Sequence, residues 1–306
     1  MTSGKSKKSL HLGILGYPLG YSLSPLMHTA AFEALKAKGI SGSYNEFPVP
    51  PEALDSWLDG VSSLGLDGFN VTIPYKEKLF SWVKANGKIK YPHEEWIGAI
   101  NTVRIENGQW EGSNTDAPGF LDVLSQIDIR HRVGKVPLRK RRVVLLGAGG
   151  AARAVAFALI WHARIGELVI WNRNRLRSEG LAENLVRLCG EGAGRECEIR
   201  VQDDLSEADL DEATLLVNTA PVSDELLVDP EALGPGLVVY DLVYHPAWTA
   251  LLKAADRRHC KIISGLEMLA SQAALSFDIW SKGMAGNVRP VMIDVLKTRI
   301  KDQWPQ

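Results

Sequence analysis

Val143-Val144-Leu145-Leu146 runs straight into Gly147-Ala148-Gly149-Gly150-Ala151-Ala152. An apolar strand, a G-x-G-x-x-A turn and a helix, in that order, suit a dinucleotide. Gly147 permits the sharp turn, Gly149 lets backbone approach a pyrophosphate, and the small Ala152 lets helix and strand pack closely. The helix start then offers unpaired N–H groups to the phosphates, from Ala148, Gly150 and Ala151 among others. The next strand, Leu168-Val169-Ile170-Trp171, ends in Asn172-Arg173-Asn174-Arg175-Leu176-Arg177. A ribose 2′-hydroxyl would call for Asp or Glu at that tip. Three arginines stand there instead, and guanidinium forks match the oxygens of a 2′-phosphate. The expected cofactor is therefore NADP, with Asn172, Arg173 and Arg177 around that phosphate.

Other chemistry-bearing residues lie outside this unit. Ser22 and Ser24 stand two apart just before Pro25. In extended backbone both hydroxyls face one way, and Pro25 suits the first turn of a helix, with Ser24 as its N-cap. Two hydroxyls beside a helix start make a seat for a carboxylate. Asn70-Val71-Thr72-Ile73-Pro74-Tyr75-Lys76 puts Asn70 and Thr72 on one face of a strand over 69–73, with Lys76 just past it. Gly98–Thr102 and Gly112–Gly119 are two more polar, turn-like segments, and Asp116 in the second could cap a following helix.

The elements that must hold these groups follow from length and pattern. The 306 residues correspond to about two domains at roughly 150 residues each. Hydrophobic residues make up 45% and charged residues 23%, which is enough apolar material for a core. Lysine and arginine total 35 against 36 acidic residues, a net charge of −1, so nucleic-acid or anionic-membrane binding is not expected. The cysteines Cys189, Cys197 and Cys260 form no C-x-x-C pair; no disulfide framework and no metal site is expected, and a reducing cytoplasm is the default. Met1–Lys8 is followed by no apolar signal region. No apolar run reaches the roughly 18 residues of a membrane span.

Short apolar runs alternating with helix-length segments predict a mostly parallel α/β architecture. Strands are expected at 10–15, 69–73, 143–146, 167–171, 198–201, 214–218, 237–241 and 261–264. Helices are expected at 25–36, 150–163, 178–188, 266–281 and 288–301. The last two helices are assigned back to the first domain, so the second is inserted within it. The basic stretch Asp128–Arg142 is read as a solvated surface loop before the second domain, with a partner or anion contact as the alternative.

Taken together, the serine segment, Asn70–Lys76, Gly98–Thr102, Asn114–Gly119, the Gly147 turn, Asn172–Arg177, Tyr240–Pro246 and Gly265–Gln272 resemble the shikimate dehydrogenase family in kind and order, from about residue 13 to 282. The resemblance implies reversible NADP-dependent reduction of 3-dehydroshikimate to shikimate. It implies a substrate-binding domain, residues 1–116 with 266–306, and an inserted Rossmann-type NADP-binding domain, residues 117–265. It implies a catalytic pair, Lys76 and Asp116, and a substrate carboxylate on Ser22 and Ser24. Thr72, Asn101, Tyr244 and Gln272 would contact ring hydroxyls with Asp116, while the backbone near Leu242 and Gly265 would wall the nicotinamide. Whether Lys76 acts as a base or as a charged donor stays open. A homodimer is among the assemblies this reading admits.

The sequence departs from the family pattern at Thr29, Asn174 and 217–223, and the Lys76–Asn101 segment is longer than typical. These departures keep a quinate or dual quinate/shikimate dehydrogenase open. More distant alternatives are a methylenetetrahydrofolate dehydrogenase, for which the carboxylate-seating serines fit less well, and a non-catalytic nucleotide sensor, which would be expected to lose Lys76 or Asp116.

Overall fold

The computed structural model describes residues 8–126, 138–192, 196–205 and 207–301. The chain divides into two compact units: residues up to Thr115 with Ala270–Arg299, and Asp116–Leu269. Each is built on its own six-stranded sheet, in keeping with the α/β expectation.

The first unit holds β1 (Lys8–Gly16), β2 (Ile40–Pro48), β3 (Gly68–Val71), β4 (Lys88–Ile89), β5 (Thr102–Glu106) and β6 (Gln109–Ser113), in the order β2-β1-β3-β5-β6-β4. This sheet is mixed, not parallel: β3 pairs antiparallel with β5, and β5 with β6. Asn107 and Gly108 turn the β5–β6 hairpin with φ of 51° and 74°, the left-handed pair that a two-residue turn requires. β3 stops at Val71, short of the expected Ile73, because Thr72–Tyr75 closes a turn through Tyr75 N–H donating to the Thr72 carbonyl at 2.9 Å. Phe69, Trp110, Leu79 and Val83 anchor an apolar cluster against this sheet. The helix Gly265–Ser281 crosses from the second unit into the first, where Trp280 donates its indole N–H to the Val103 carbonyl at 2.9 Å.

The second unit holds β7 (Arg142–Leu146), β8 (Glu167–Trp171), β9 (Glu198–Gln202), β10 (Ala213–Asn218), β11 (Val238–Asp241) and β12 (Lys261–Ser264). All are parallel, in the order β12-β11-β10-β7-β8-β9. Strands covered on both faces read as unbroken apolar runs, and Val143–Leu146, Leu168–Ile170 and Leu215–Val217 are all fully buried. The order reverses between β7 and β10, and doubly wound sheets bind ligands at such a switch point.

Of the basic stretch, residues 128–137 lie outside the described residues, as do residues 1–7. Arg142 is not a loop residue. It opens β7 and pairs with Glu167 at 2.6 Å and Glu212 at 2.7 Å. Among the described residues, no helix is long and apolar enough to cross a membrane, and no group of three or more His, Cys, Asp or Glu could hold a metal ion.

Candidate active site

In the first unit, Ser22 and Ser24 follow β1, Thr72 and Lys76 follow β3, Asn101 immediately precedes β5, and Gln272 lies on the helix Gly265–Ser281. The helix Ser24–Leu35 takes Leu23 as its N-cap, in helical conformation (φ −92°, ψ −1°). Ser24 is therefore not the cap, and the serines do not share an extended backbone. Instead Ser22 Oγ accepts the Ser24 N–H at 3.3 Å, a local turn that fixes the pair by another route. Ser24 is buried and Ser22 half-buried. Thr72 is half-buried against Gly16, where an added Cβ would lie 2.3 Å from the Thr72 methyl. Lys76 is half-buried at the start of the helix Lys76–Asn86, and its carbonyl accepts the Ile100 N–H at 3.0 Å.

Asn101 sits at the centre of a buried amide–hydroxyl network. Its Nδ2 donates to Thr115 Oγ1 at 2.8 Å and Gln272 Oε1 at 3.2 Å. Its Oδ1 accepts from Thr115 N at 2.8 Å and Thr102 Oγ1 at 3.0 Å. Asn70 extends the network, donating to the Asn101 carbonyl and Ser276 Oγ, each at 3.0 Å, and accepting from Tyr44 Oη at 2.7 Å. Ser276 and Thr102 hydroxyls meet at 2.7 Å. The structure thus brings Asn101 and Gln272 together. It also shows Asn70, Thr115 and Ser276 as supporting residues that the sequence reading left out of the site. Ser276 lies four residues after Gln272, on the same face of one helix, which was its only signal.

A buried carboxylate braces this region. Glu94 Oε1 accepts from Ser113 Oγ and from Asn114 N, each at 2.8 Å, and Oε2 accepts from Tyr91 N at 3.1 Å. Burial raises its carboxyl above the ordinary range, while these hydrogen bonds pull it down. Asp116 follows directly, as the buried first residue of the helix Asp116–Gln126, and belongs to the second unit. The two catalytic candidates therefore fall in different units.

In the second unit the glycine turn has the geometry a pyrophosphate needs. Gly147 has φ +108°, and a Cβ there would stand 2.4 Å from Thr219 Oγ1. Gly149 is the extended N-cap of the helix Gly150–Phe157. A Cβ there would meet nothing nearer than an Arg177 guanidinium nitrogen at 4.0 Å, so no protein group crowds the turn on that side. Ala152 is fully buried between helix and strand. Past β8, Asn172 Nδ2 donates to the Asn174 carbonyl at 2.7 Å. Arg173 pairs with Glu225 at 3.0 Å, and Arg175 pairs with Glu179 and Asp203. No carboxylate stands at the tip in sequence, yet Glu225 and Asp203 reach it in space. Leu242 and Gly265 also meet: a Cβ on Gly265 would lie 2.3 Å from the Leu242 carbonyl oxygen. Tyr244 is half-buried two residues beyond Leu242. Open backbone at the turn, three arginines at the tip and a switch point beneath them fit a phosphorylated dinucleotide.

Residues 14–103 match the family model for the shikimate dehydrogenase substrate binding domain. The chain is 36% identical over 302 residues to a shikimate dehydrogenase (NADP(+)) of Methanocaldococcus jannaschii, covering 97% of this chain and 98% of that one. It is similar in structure to a shikimate 5-dehydrogenase from Thermus thermophilus in complex with NADP(H) and shikimate, with TM-score 0.70 and 36% identity over 92% of this chain and 99% of that one. It is also similar to a quinate dehydrogenase from Corynebacterium glutamicum in complex with NAD, with TM-score 0.76 and 28% identity over 94% and 98% of the two chains.

Proposed function

The chain belongs to the shikimate dehydrogenase family, and on that footing we propose that it catalyses the reversible NADP-dependent interconversion of 3-dehydroshikimate and shikimate. The observation that carries the substrate half is the buried network holding Asn101 against Gln272. Such a network holds these side chains in one arrangement, so a small polyhydroxy ring would meet groups already ordered.

In this reading the first unit supplies most of the substrate contacts, the second adds Asp116 and Tyr244 to them, and the second binds the cofactor. Ser22 and Ser24 hold the ring carboxylate. Thr72, Asn101, Tyr244 and Gln272 take its hydroxyls. Lys76 gives or receives the proton at the reacting oxygen, and Asp116 orients that oxygen or the ammonium. Backbone N–H groups of Gly147–Ala151 face the pyrophosphate, Asn172, Arg173 and Arg177 face the 2′-phosphate, and Leu242 and Gly265 wall the nicotinamide. When bound, NADP(H) supplies or accepts the hydride. The reading includes a cytoplasmic enzyme and a homodimer, the latter checked by light scattering in solution.

The test is cofactor reduction with shikimate and with quinate, each with NADP and with NAD. Shikimate with NADP is expected to give the highest kcat/KM. A higher value with quinate would replace the substrate, a higher value with NAD would defeat the role of the arginines, and no turnover at all would leave a nucleotide-binding protein.

A further inference from the structure

Asp241 closes β11, and its side chain is fully buried. Its carboxylate receives three hydrogen bonds and nothing in its described shell asks it to donate. Oδ1 accepts from Asn218 Nδ2 at 2.9 Å and Val243 N at 3.0 Å, and Oδ2 accepts from Thr249 Oγ1 at 2.6 Å. Such a shell matches the ionised form. Burial nevertheless pushes the carboxyl up to about 6, against the pull of Thr249, Val243 and Asn218. Placing a carboxylate where water is excluded is costly unless its partners compensate, so the group is set in the fold for what it holds.

It holds the tips of two neighbouring strands. Asn218 ends β10; its Oδ1 accepts the Ala220 N–H at 3.0 Å, and its carbonyl accepts the Leu242 N–H at 2.9 Å. Between them Thr219 donates its hydroxyl to the Leu146 carbonyl at 2.7 Å and occupies the space a Cβ on Gly147 would need. One side of the Asp241 cluster thus backs the glycine turn. On the other side Val243 is bonded to Asp241 itself, and the preceding Leu242 carbonyl lies against Gly265. Thr249 ties in a third segment, capping the helix Ala250–Arg257 by accepting the Leu252 N–H at 3.1 Å.

We propose that Asp241 is a positioning residue for the cofactor: it locks the β10 and β11 tips together, so that the pyrophosphate turn and the wall at Leu242 and Gly265 keep one mutual geometry. The inference rests on the reading of the second unit as the NADP site, and it assigns Asp241 no contact with substrate or cofactor.

The test is equilibrium NADP binding to the full chain by calorimetry, beside shikimate binding without cofactor and a thermal melt. Asp241→Ala should raise the Kd for NADP at least tenfold and that for shikimate by less, since of the proposed substrate contacts only Tyr244 lies beside the Asp241–Val243 bond. Asp241→Asn keeps the oxygen that faces Val243 and Asn218, and should return the NADP Kd to within threefold of the wild type. If Asp241→Ala does not fold, Thr249→Val decides: it should raise the NADP Kd at least threefold. An NADP Kd unchanged in Asp241→Ala, even with a lower melting temperature, overturns the proposal, as does Asp241→Asn binding no better than Asp241→Ala or, in the second case, an unchanged Thr249→Val. Failure of the wild type to bind NADP would instead defeat the reading of the second unit.

Discussion

The two units prepare their candidate sites in opposite ways. In the first, the polar groups are buried and bonded to one another: Asn70, Asn101, Thr102, Thr115 and Ser276 form one network, with Gln272 on its edge. In the second, the candidate cofactor-binding features are backbone in an unusual conformation and arginines on the surface, with Arg173 70% exposed and its partner Glu225 62% exposed. A buried network transmits any loss, because each group left unpaired costs about 1–3 kcal/mol. Exposed ion pairs contribute about 0–1 kcal/mol each. Recognition in the first unit should therefore be brittle. In the second it should be brittle at the glycine turn and tolerant at the arginines.

The largest effect is expected at the chemistry. Lys76→Ala should lower kcat by roughly 10²–10⁴, the range for a lost general acid or base, with a smaller change in KM; steady-state kinetics with shikimate checks it, and near-normal kcat removes Lys76 from the role. Next comes the turn. Gly147→Val would have to adopt φ +108° and displace Thr219. Strain of about 1–3 kcal/mol, at about 1.4 kcal/mol per tenfold, predicts an NADP Kd raised roughly 5–140-fold. Shikimate binding, measured by calorimetry, should stay near that of the wild type. If both ligands weakened together, the substitution would not act on the cofactor-binding turn alone.

The same contrast explains what the sequence makes legible. The glycine turn is contiguous, so its six residues carry both the strand–turn–helix order and the steric reason for it. The strands of the second unit are buried on both faces and read as apolar runs. β2 offers no such signal: within it only Ile40 and Tyr44 are buried, with no alternation between them. The expectation of a mostly parallel sheet passes over the Asn107-Gly108 turn, although that dipeptide is a strong hairpin mark. The network around Asn101 was legible only in part. Asn101 and Gln272 stand in recognisable segments, but Ser276, Thr115 and Glu94 gain meaning only when distant strands and a helix meet. Glu225 and Asp203 reach the arginine tip from segments that no spacing rule connects to it. Lys76 and Asp116 carry no local signal of a catalytic role; the family resemblance alone implies it, and the Lys76→Ala kinetics test it for Lys76.

A smaller effect separates the units by pH. His28 is wholly buried, stacked on Tyr44 at 4.2 Å and near Phe277 and Trp280. Neither ring nitrogen has a hydrogen-bond partner among the described residues. Burial lowers its pKa to about 3, outweighing the upward pull of the nearby Asn70 side chain. In the unfolded chain an unperturbed histidine titrates near 6.5. Between about pH 6.5 and 3 the unfolded state therefore binds one more proton at this site than the folded state. The contribution is complete above pH 6.5 and falls as pH falls, by about 1.4 kcal/mol per pH unit. Asp241 works in the other direction, because its folded pKa is raised and its contribution falls as pH rises toward 6. Urea denaturation of the wild type and His28→Phe at pH 7, 6 and 5 isolates the first effect. The variant should lose less stability on acidification, and parallel slopes would show that His28 does not titrate as described.

The smallest effect lies at the arginine tip, where it discriminates between two accounts of the Arg173–Glu225 pair. If the pair holds Arg173 in place for a 2′-phosphate, removing the carboxylate should weaken NADP binding. If Glu225 merely competes with the phosphate for the same guanidinium, removing it should strengthen binding. The exposure of both partners favours competition: a solvated carboxylate orders little and is screened by salt, whereas the phosphate brings close to two charges. Glu225→Gln is therefore expected to lower the NADP Kd, by no more than about fivefold, since an exposed pair is worth at most about 1 kcal/mol. The gain should shrink between 50 and 300 mM salt and be absent with NAD, which has no 2′-phosphate to compete. A weaker NADP complex in Glu225→Gln would make Glu225 part of the binding surface, and the contrast between a rigid first unit and a yielding phosphate tip would fail at that point.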